Sequence, residues 1–159
     1  MKKTRSRFIA EGAMIAALYV ILTYVSMALG LDKMAVQLRF SEALTVLPLF
    51  TPAAVPGLFI GCLTANLLTG CALPDIIFGS LATLIAAAVT SKMKKTPFLA
   101  PLPAIVANTV VVPPIVAFVY HVEMALPLIY LTVFLGEVLS AGVLGTLLQN
   151  TLKKHRKQS

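Results

Sequence analysis

Ionisable and amide side chains interrupt stretches of this sequence that are otherwise apolar. The candidates for ligand binding among them are Arg39, Glu42, Asn66, Asp75, Asn108 and Glu137. An ionisable group near the centre of a bilayer costs roughly 2.5–3.5 kcal/mol, so such groups are rare and generally functional. Pro48, Pro52 and Pro56 break the same region, and lipid tolerates a broken helix only where other protein covers it. Polar groups beside broken helices favour a binding site at the edge of a membrane.

Most of these side chains also have a simpler interpretation. Asp75 suits the first turn of a helix, where a carboxylate is favoured by the helix dipole. Glu42 can pair with Arg39, and the two asparagines can be explained by hydrogen bonds between helices. Glu137 has no such explanation, because it lies about thirteen residues into its apolar run. A carboxylate at that depth is expected to be functional.

Composition indicates a membrane protein. Hydrophobic residues make up 58% of the 159 residues and charged residues only 12%, whereas soluble domains average about 25% charged residues. The net charge of +7 does not indicate nucleic-acid binding, because the basic residues gather at the ends of apolar runs and there is no Trp for base stacking. Such clusters are typical of membrane topology.

The apolar runs predict an all-α membrane protein with one integral membrane domain over residues 1–159. The predicted spans are residues 8–29, 41–50, 57–68, 75–91, 97–120 and 124–152. The first run is about 22 residues long, longer than the 7–15 apolar residues of a signal peptide, and Glu11 interrupts its start. We therefore expect it to be retained as a span.

The placement of basic residues favours six spans over five. With two short spans between residues 41 and 68, eleven of the thirteen Lys and Arg residues fall on the side of both termini, and only Lys33 and Arg39 fall opposite. The eleven are Lys2, Lys3, Arg5, Arg7, Lys92, Lys94, Lys95, Lys153, Lys154, Arg156 and Lys157. Because excess Lys and Arg face the cytoplasm, both termini are predicted to be cytoplasmic.

Two further patterns concern partners and chemistry. Gly12 with Ala16, and Ala13 with Ala17, form a stripe of small residues that lets another helix approach closely. Spacing alone favours packing inside the bundle over docking of a partner.

The sequence predicts no catalytic residue, metal ligand or cofactor, because it has neither a Gly-rich phosphate loop nor a nucleophile–base arrangement. A binding site without an energy source favours a capture subunit.

Three segments of the sequence resemble the QueT family, the substrate-binding (S) components of energy-coupling-factor (ECF) vitamin transporters. They are RFSEALTVLPLFTPAAVPGLFIGC, ALPDIIFGSLATLIAA and GEVLSAGVLG, and the resemblance extends over essentially the whole chain. It implies an S-component bundle of six helices in the cell membrane, with both ends cytoplasmic. It also implies an outward-facing pocket that the first long loop caps.

The same resemblance implies a ligand and partners. The ligand is expected to be a queuosine precursor, a 7-deazaguanine such as 7-aminomethyl-7-deazaguanine. The partners are a transmembrane coupling subunit and two ATPases, and docking onto the coupling subunit is carried over to Ala13 and Ala17, with Gly12 and Ala16 beside them. The protein would otherwise contact membrane lipid and no nucleic acid.

A 7-deazaguanine suits the polar residues of the sequence. A guanine-like edge offers N–H donors, which Glu137 accepts with help from Asn108. Asp75 or Glu42 faces the aminomethyl cation. Arg39 and Asn66 complete the polar set, and the aromatic candidates for stacking on the ring are Phe40, Phe78, Tyr120 and Tyr130.

Two other interpretations remain at this stage. The nearest is an S component for a different vitamin. From other classes, a small membrane enzyme lacks a catalytic constellation here, and a structural membrane protein leaves Glu137 and Asn108 unexplained.

Overall fold

All regular structure in the part of the chain that is described is helical. The computed structural model describes residues 5–31 and 37–158, with side chains up to Arg156. Helix α1 is Arg5–Ala28, a 3₁₀ helix is Phe40–Leu49, α2 is Ala54–Leu68, α3 is Ser80–Lys92, α4 is Leu102–Phe118, α5 is Leu126–Glu137 and α6 is Gly145–Gln158. A π-helical turn, Asp75–Gly79, leads into α3, a π-helical segment, Val138–Leu144, joins α5 to α6, and a short 3₁₀ turn, Pro97–Leu99, precedes α4. The prediction of an all-α protein is confirmed.

Within the described residues, four helical stretches are long and apolar enough to cross a membrane. They are Arg5–Ala28, Asp75–Lys92, Pro97–Phe118 and Leu126–Arg156, and the two shorter apolar helices are Phe40–Leu49 and Ala54–Leu68. Large apolar side chains also cover the outside of the bundle, for example Met14, which is 69% exposed, and Val110, which is 61% exposed. This surface is suited to lipid rather than water, because exposing apolar side chains to water is unfavourable. The backbone is suited to lipid as well, since a helix satisfies its own hydrogen bonds.

The 3₁₀ helix Phe40–Leu49 lies at the centre of the bundle. It contacts α1, α2, α3, α6 and the π-helical segment, and its buried residues include Glu42, Leu44 and Val46. A 3₁₀ helix rises about 2.0 Å per residue, so ten residues extend over about 20 Å, compared with about 15 Å for an α-helix. This short helix therefore extends through much of the bundle, and Glu42 is buried in its first turn.

Helices α1 and α2 end in the same glycine motif. Gly30 and Gly70 have φ values of 70° and 74°, a left-handed conformation that glycine adopts without steric cost. After α1, Leu31 N–H donates to Ser26 O at 3.0 Å, and after α2, Cys71 N–H donates to Asn66 O at 3.0 Å. These bonds satisfy the last carbonyls of each helix and turn the chain back towards the bundle.

Small residues allow α1 and α2 to cross closely. A Cβ atom at Gly57 would lie 2.7 Å from the carbonyl oxygen of Gly12, and one at Gly61 would lie 3.1 Å from Cα of Ala16. Gly12 and Ala16 therefore pack inside the bundle, whereas Ala13 and Ala17 are exposed on another face of α1. The stripe of small residues is divided between two surfaces.

The start of α1, the last turns of α6 and two connections lie at one end of the bundle, which we call the basic end. Thr51 Oγ1, between the 3₁₀ helix and α2, donates to Glu11 Oε2 near the start of α1 at 2.8 Å. Lys94, in the connection between α3 and α4, lines the same groove as Lys153 of α6. At the opposite end, Tyr24 OH of α1 donates to Leu68 O at the close of α2 at 3.2 Å.

Candidate functional site

A cavity of about 320 Å³ opens near the end of the bundle opposite the basic end. Five of the six polar residues predicted to bind a ligand line it: Arg39, Glu42, Asp75, Asn108 and Glu137. They come from the 3₁₀ helix and the residue before it, the π-helical turn, α4 and α5. The fold thus brings together side chains from four separate parts of the sequence.

An amide joins two carboxylates on the inner side of this cavity. Asn108 Nδ2 donates to Glu137 Oε1 at 3.1 Å and to Glu42 Oε2 at 3.3 Å. An amide nitrogen carries two hydrogens, so Asn108 can serve both acids at once. It holds Glu42 and Glu137 at a fixed spacing.

The two acids differ in how many of their oxygens are already bonded. Tyr19 OH donates to Glu42 Oε1 at 2.5 Å, so both oxygens of Glu42 have donors. Glu137 Oε2 is buried and has no hydrogen-bond partner among the residues that the structure describes. A buried acceptor without a donor costs roughly 1–3 kcal/mol. Glu137 therefore presents the acceptor that a donor from a bound molecule would satisfy.

Asp75 belongs to a second group, at the mouth of the cavity. Tyr120 OH donates to Asp75 Oδ2 at 3.0 Å and accepts from the backbone N–H of Ala72, also at 3.0 Å. Burial raises the pKa of Tyr120 to about 12, and the charge of Asp75 acts in the same direction. The phenol therefore stays protonated at neutral pH. Because Tyr120 is 43% exposed, this group borders the opening.

Acidic side chains outnumber basic ones in the lining of the cavity. Three carboxylates, Glu42, Asp75 and Glu137, line it together with Arg39. The positive charge of Arg39 interacts with both Asp75 and Glu42. Its backbone N–H donates to Ser140 Oγ at 3.1 Å, which fixes this segment against the π-helical segment. The cavity can therefore complement a cation as well as N–H donors.

The end of the first connection lies over the site. A Cβ atom at Gly136 would overlap the carbonyl oxygen of Gln37, so only glycine permits this approach, one residue before Glu137. Gln37 also lines the cavity. The predicted capping loop includes residues 32–36, which lie outside the described residues.

Comparison with known proteins identifies the family. A family model described as QueT transporter matches residues 9–154. The chain belongs to the QueT transporter family. The queuosine precursor transporter QueT of Lactococcus lactis subsp. cremoris is 35% identical over 85 residues, which are 54% of this chain and 50% of that protein. The chain thus spans about half the length of the curated relative it matches, and no solved structure matches it.

Membership in the QueT family decides several of the predictions. The predicted family resemblance is confirmed. Because QueT is a transporter family, this member is not an enzyme, and the small-enzyme interpretation is excluded. Together with four helices able to cross a membrane, membership makes the chain a multi-pass protein of the plasma membrane.

In this QueT family member, two predicted ligand-binding residues lie outside the cavity wall. Asn66 is buried behind it, where its Nδ2 donates to the backbone oxygen of Asp75 at 3.5 Å. Phe78 is 55% exposed and is absent from the cavity lining, as are Phe40 and Tyr130. Of the four aromatic residues predicted to stack on a ligand, Tyr120 is the one that lines the cavity.

Asp75 and Glu137 each lie at the start of a π-helical stretch. Asp75 is the first residue of the π-helical turn, and Glu137 immediately precedes the segment Val138–Leu144. π-helical turns inside α-helices are rare and occur frequently at functional sites. This feature cannot be predicted from the apolar periodicity of the sequence.

Tyr19 and Thr83, which were not predicted as site residues from the sequence, also belong to the site. Tyr19 is fully buried and bonds to Glu42, and Thr83 lines the cavity. A tyrosine in the middle of a predicted span indicates a nearby polar group, since a buried phenol needs a hydrogen-bond partner. Thr83 gives no comparable signal, because threonine in a membrane helix often bonds its own backbone, as it does here to Gly79 O at 3.1 Å.

Proposed function

We propose that this chain is the substrate-capture subunit of an ATP-driven ECF importer and binds a queuosine precursor in the cavity described above. The ligand is a 7-deazaguanine such as 7-aminomethyl-7-deazaguanine. Membership in the QueT transporter family supports this, as does the name of the relative from Lactococcus lactis, a queuosine precursor transporter.

The observation that carries the proposal is the unpaired oxygen of Glu137. It is a buried acceptor in a cavity of about 320 Å³, a volume at the lower end of the 300–1,000 Å³ typical of small-molecule pockets. A guanine-like edge presents adjacent N–H donors, and hydrogen bonds from them to a carboxylate are charge-assisted. Glu137 accepts these donors in the proposed complex, and Asn108 holds its other oxygen in place.

The aminomethyl group is assigned to Asp75. Asp75 lies at the mouth beside the partly exposed Tyr120, where a substituent on the ring edge opposite the guanine-like donors would point. Glu42 is less suited to this role, because Tyr19 and Asn108 already occupy its two oxygens. The side chain of Asp75 thus gives the cationic substituent an acidic partner at the mouth of the cavity.

We propose six spans, with both termini in the cytoplasm. The eleven-to-two division of basic residues supports this topology. The contact of Thr51 with Glu11 also supports it, because the connection between the 3₁₀ helix and α2 returns to the end at which α1 begins. The cavity then opens outward.

Energy for uptake comes from partner subunits in this proposal, a transmembrane coupling subunit and two ATPases. The chain has no nucleotide-binding phosphate loop of its own.

Ala13 and Ala17 form the docking surface for a helix of the coupling subunit, since both are small and exposed on α1. Gly12 and Ala16 support this surface indirectly by seating α1 against α2.

A binding experiment with the purified chain tests the proposal. We expect 7-aminomethyl-7-deazaguanine to bind to the isolated chain in a calorimetric titration, and native mass spectrometry to detect a ligand of that mass after purification. The matched control is Glu137→Gln, which keeps the size of the side chain and removes one acceptor. A different vitamin in the mass spectrum, with no deazaguanine binding, would assign the chain to another class of S component.

A further inference from the structure

A second and larger concave site lies at the basic end of the bundle. It is a groove of about 780 Å³ between the end of the 3₁₀ helix, the connection from α3 to α4, and the last turns of α6. Its cationic residues are Lys94, Lys153, Lys154 and Arg156, and its apolar residues are Leu49, Phe50 and Pro97. Neither the cavity at the opposite end nor the proposed docking face of α1 uses any of them.

The positive charge of this groove is not neutralised by an acid in the described part of the chain. The sequence contains six acids. Glu42, Asp75 and Glu137 line the cavity at the other end, and Glu123 lies in the connection between α4 and α5 beside that cavity. Glu11 pairs with Arg7 at 3.4 Å, and Asp32 lies outside the described residues. Four cations therefore converge from two distant parts of the sequence without a described anionic partner.

An apolar groove of about 500 Å³ adjoins the basic groove. It includes Phe98 of the 3₁₀ turn and Leu102 of α4 on one side, and Val143 of the π-helical segment and Leu147 of α6 on the other. Phe98 follows Pro97 of the basic groove directly, and Leu147 lies one helical turn before Asn150, which also lines that groove. A cationic recess thus leads into a hydrocarbon-facing channel.

We infer that these two grooves together bind one anionic phospholipid, with its phosphate among Lys94, Lys153, Lys154 and Arg156 and an acyl chain along Phe98 and Leu147. Basic pockets between membrane helices recognise anionic headgroups by this combination of charge and shape. The adjoining apolar groove favours a lipid over a free phosphate, which would leave that groove empty. It also favours a lipid over an acidic protein segment, since Phe98 is 73% exposed and Leu147 is 60% exposed on a surface suited to acyl chains.

Retention of defined lipids by the full-length protein tests this inference. The chain is reconstituted in nanodiscs of phosphatidylglycerol and phosphatidylcholine, released, and examined by native mass spectrometry. We expect the wild type to retain phosphatidylglycerol selectively. Lys94→Gln with Lys153→Gln removes one cation from each wall and should lower that selectivity about 25-fold, since each cation near an anionic headgroup contributes about fivefold.

A matched variant removes the same amount of charge outside the groove. Lys92, the last residue of α3, and Lys95, in the connection after it, do not line the groove. Lys92→Gln with Lys95→Gln should therefore retain phosphatidylglycerol like the wild type. Equal losses in the two double variants would overturn the inference in favour of general surface charge. Deazaguanine binding and the thermal midpoint serve as folding controls for every variant.

Two further probes distinguish the lipid from other anions. Gly142→Leu should reduce retention of phosphatidylglycerol by filling the apolar groove; a Cβ there would meet Ile105 at an ordinary 3.6 Å. Glycerol 3-phosphate has the headgroup phosphate without acyl chains, and should bind far more weakly than the lipid. Equal binding of the two would show a free-phosphate site instead. Unchanged lipid retention in the Lys94/Lys153 variant, with lost assembly with a coupling subunit, would show a protein-docking groove.

Discussion

Asn108 on α4 and Glu42 on the 3₁₀ helix are 66 residues apart in the sequence and are joined by a hydrogen bond of 3.3 Å. The same amide nitrogen donates to Glu137 at 3.1 Å. Since Tyr19 also donates to Glu42, the two acids are not equivalent. Each oxygen of Glu42 accepts a hydrogen bond from the protein, whereas Glu137 Oε2 has no donor among the described residues.

The first prediction concerns this free oxygen. Glu137→Gln should weaken binding of every 7-deazaguanine by roughly 5–150-fold, the equivalent of losing about 1–3 kcal/mol for a buried donor left unpaired. The loss should be similar for the aminomethyl ligand and its neutral nitrile analogue, because both share the guanine-like edge. Titration of both ligands measures it. Unchanged affinity for both would place the pocket elsewhere.

The second prediction separates Asp75 from Glu42. Asp75→Asn should weaken binding of the aminomethyl ligand more than binding of the nitrile analogue, because only the former carries a positive charge. Glu42→Gln should change the affinity for the two ligands equally. Glu42 bonds to Tyr19 and Asn108 and so lies with Glu137 in the inner group of the cavity, away from the aminomethyl substituent. Tyr120→Phe is a control that removes the donor to Asp75 and keeps its charge. Charge discrimination in Glu42→Gln but not in Asp75→Asn would reverse the assignment.

The third prediction concerns docking. Replacement of Ala13 and Ala17 by Leu should abolish complex formation with the coupling subunit, because the larger side chains block close helix approach. Ligand binding by the isolated chain should survive, since neither residue lines the cavity. Val106→Leu with Val110→Leu adds bulk to another exposed helix face and should leave assembly intact. Loss of ligand binding in the Ala13/Ala17 variant would instead indicate a packing role.

The fourth prediction concerns topology. In a background with Cys62 and Cys71 replaced by Ala, a cysteine at Lys33 should react with a membrane-impermeant maleimide in intact cells. A cysteine at Lys95 should react only after the membrane is opened, because that basic cluster is predicted to be cytoplasmic. The reverse labelling pattern would contradict both the proposed topology and the outward opening of the cavity.

Some features follow from the sequence because they depend on neighbouring residues alone. A run of about twenty apolar residues in hydrocarbon forms a helix, since only a helix satisfies all backbone hydrogen bonds within a single segment. The predicted segment 75–91 accordingly corresponds to the helical stretch Asp75–Lys92, and the segment 97–120 to Pro97–Phe118. Glu137 and Asn108 could be identified as candidates from the sequence, because a polar side chain in such an apolar run is costly and rare.

The tertiary structure decided which way each of these residues faces. Phe78 follows Asp75 by three residues and still lies outside the cavity lining, because the π-helical turn changes the angular spacing of its side chains. Gly12 and Ala13 are neighbours in the sequence, but only Gly12 meets α2. Glu42 belongs to the inner group rather than the rim because a 3₁₀ helix carries it to Asn108 and Tyr19. These outcomes depend on contacts between helices distant in sequence, which the periodicity of a single helix does not encode.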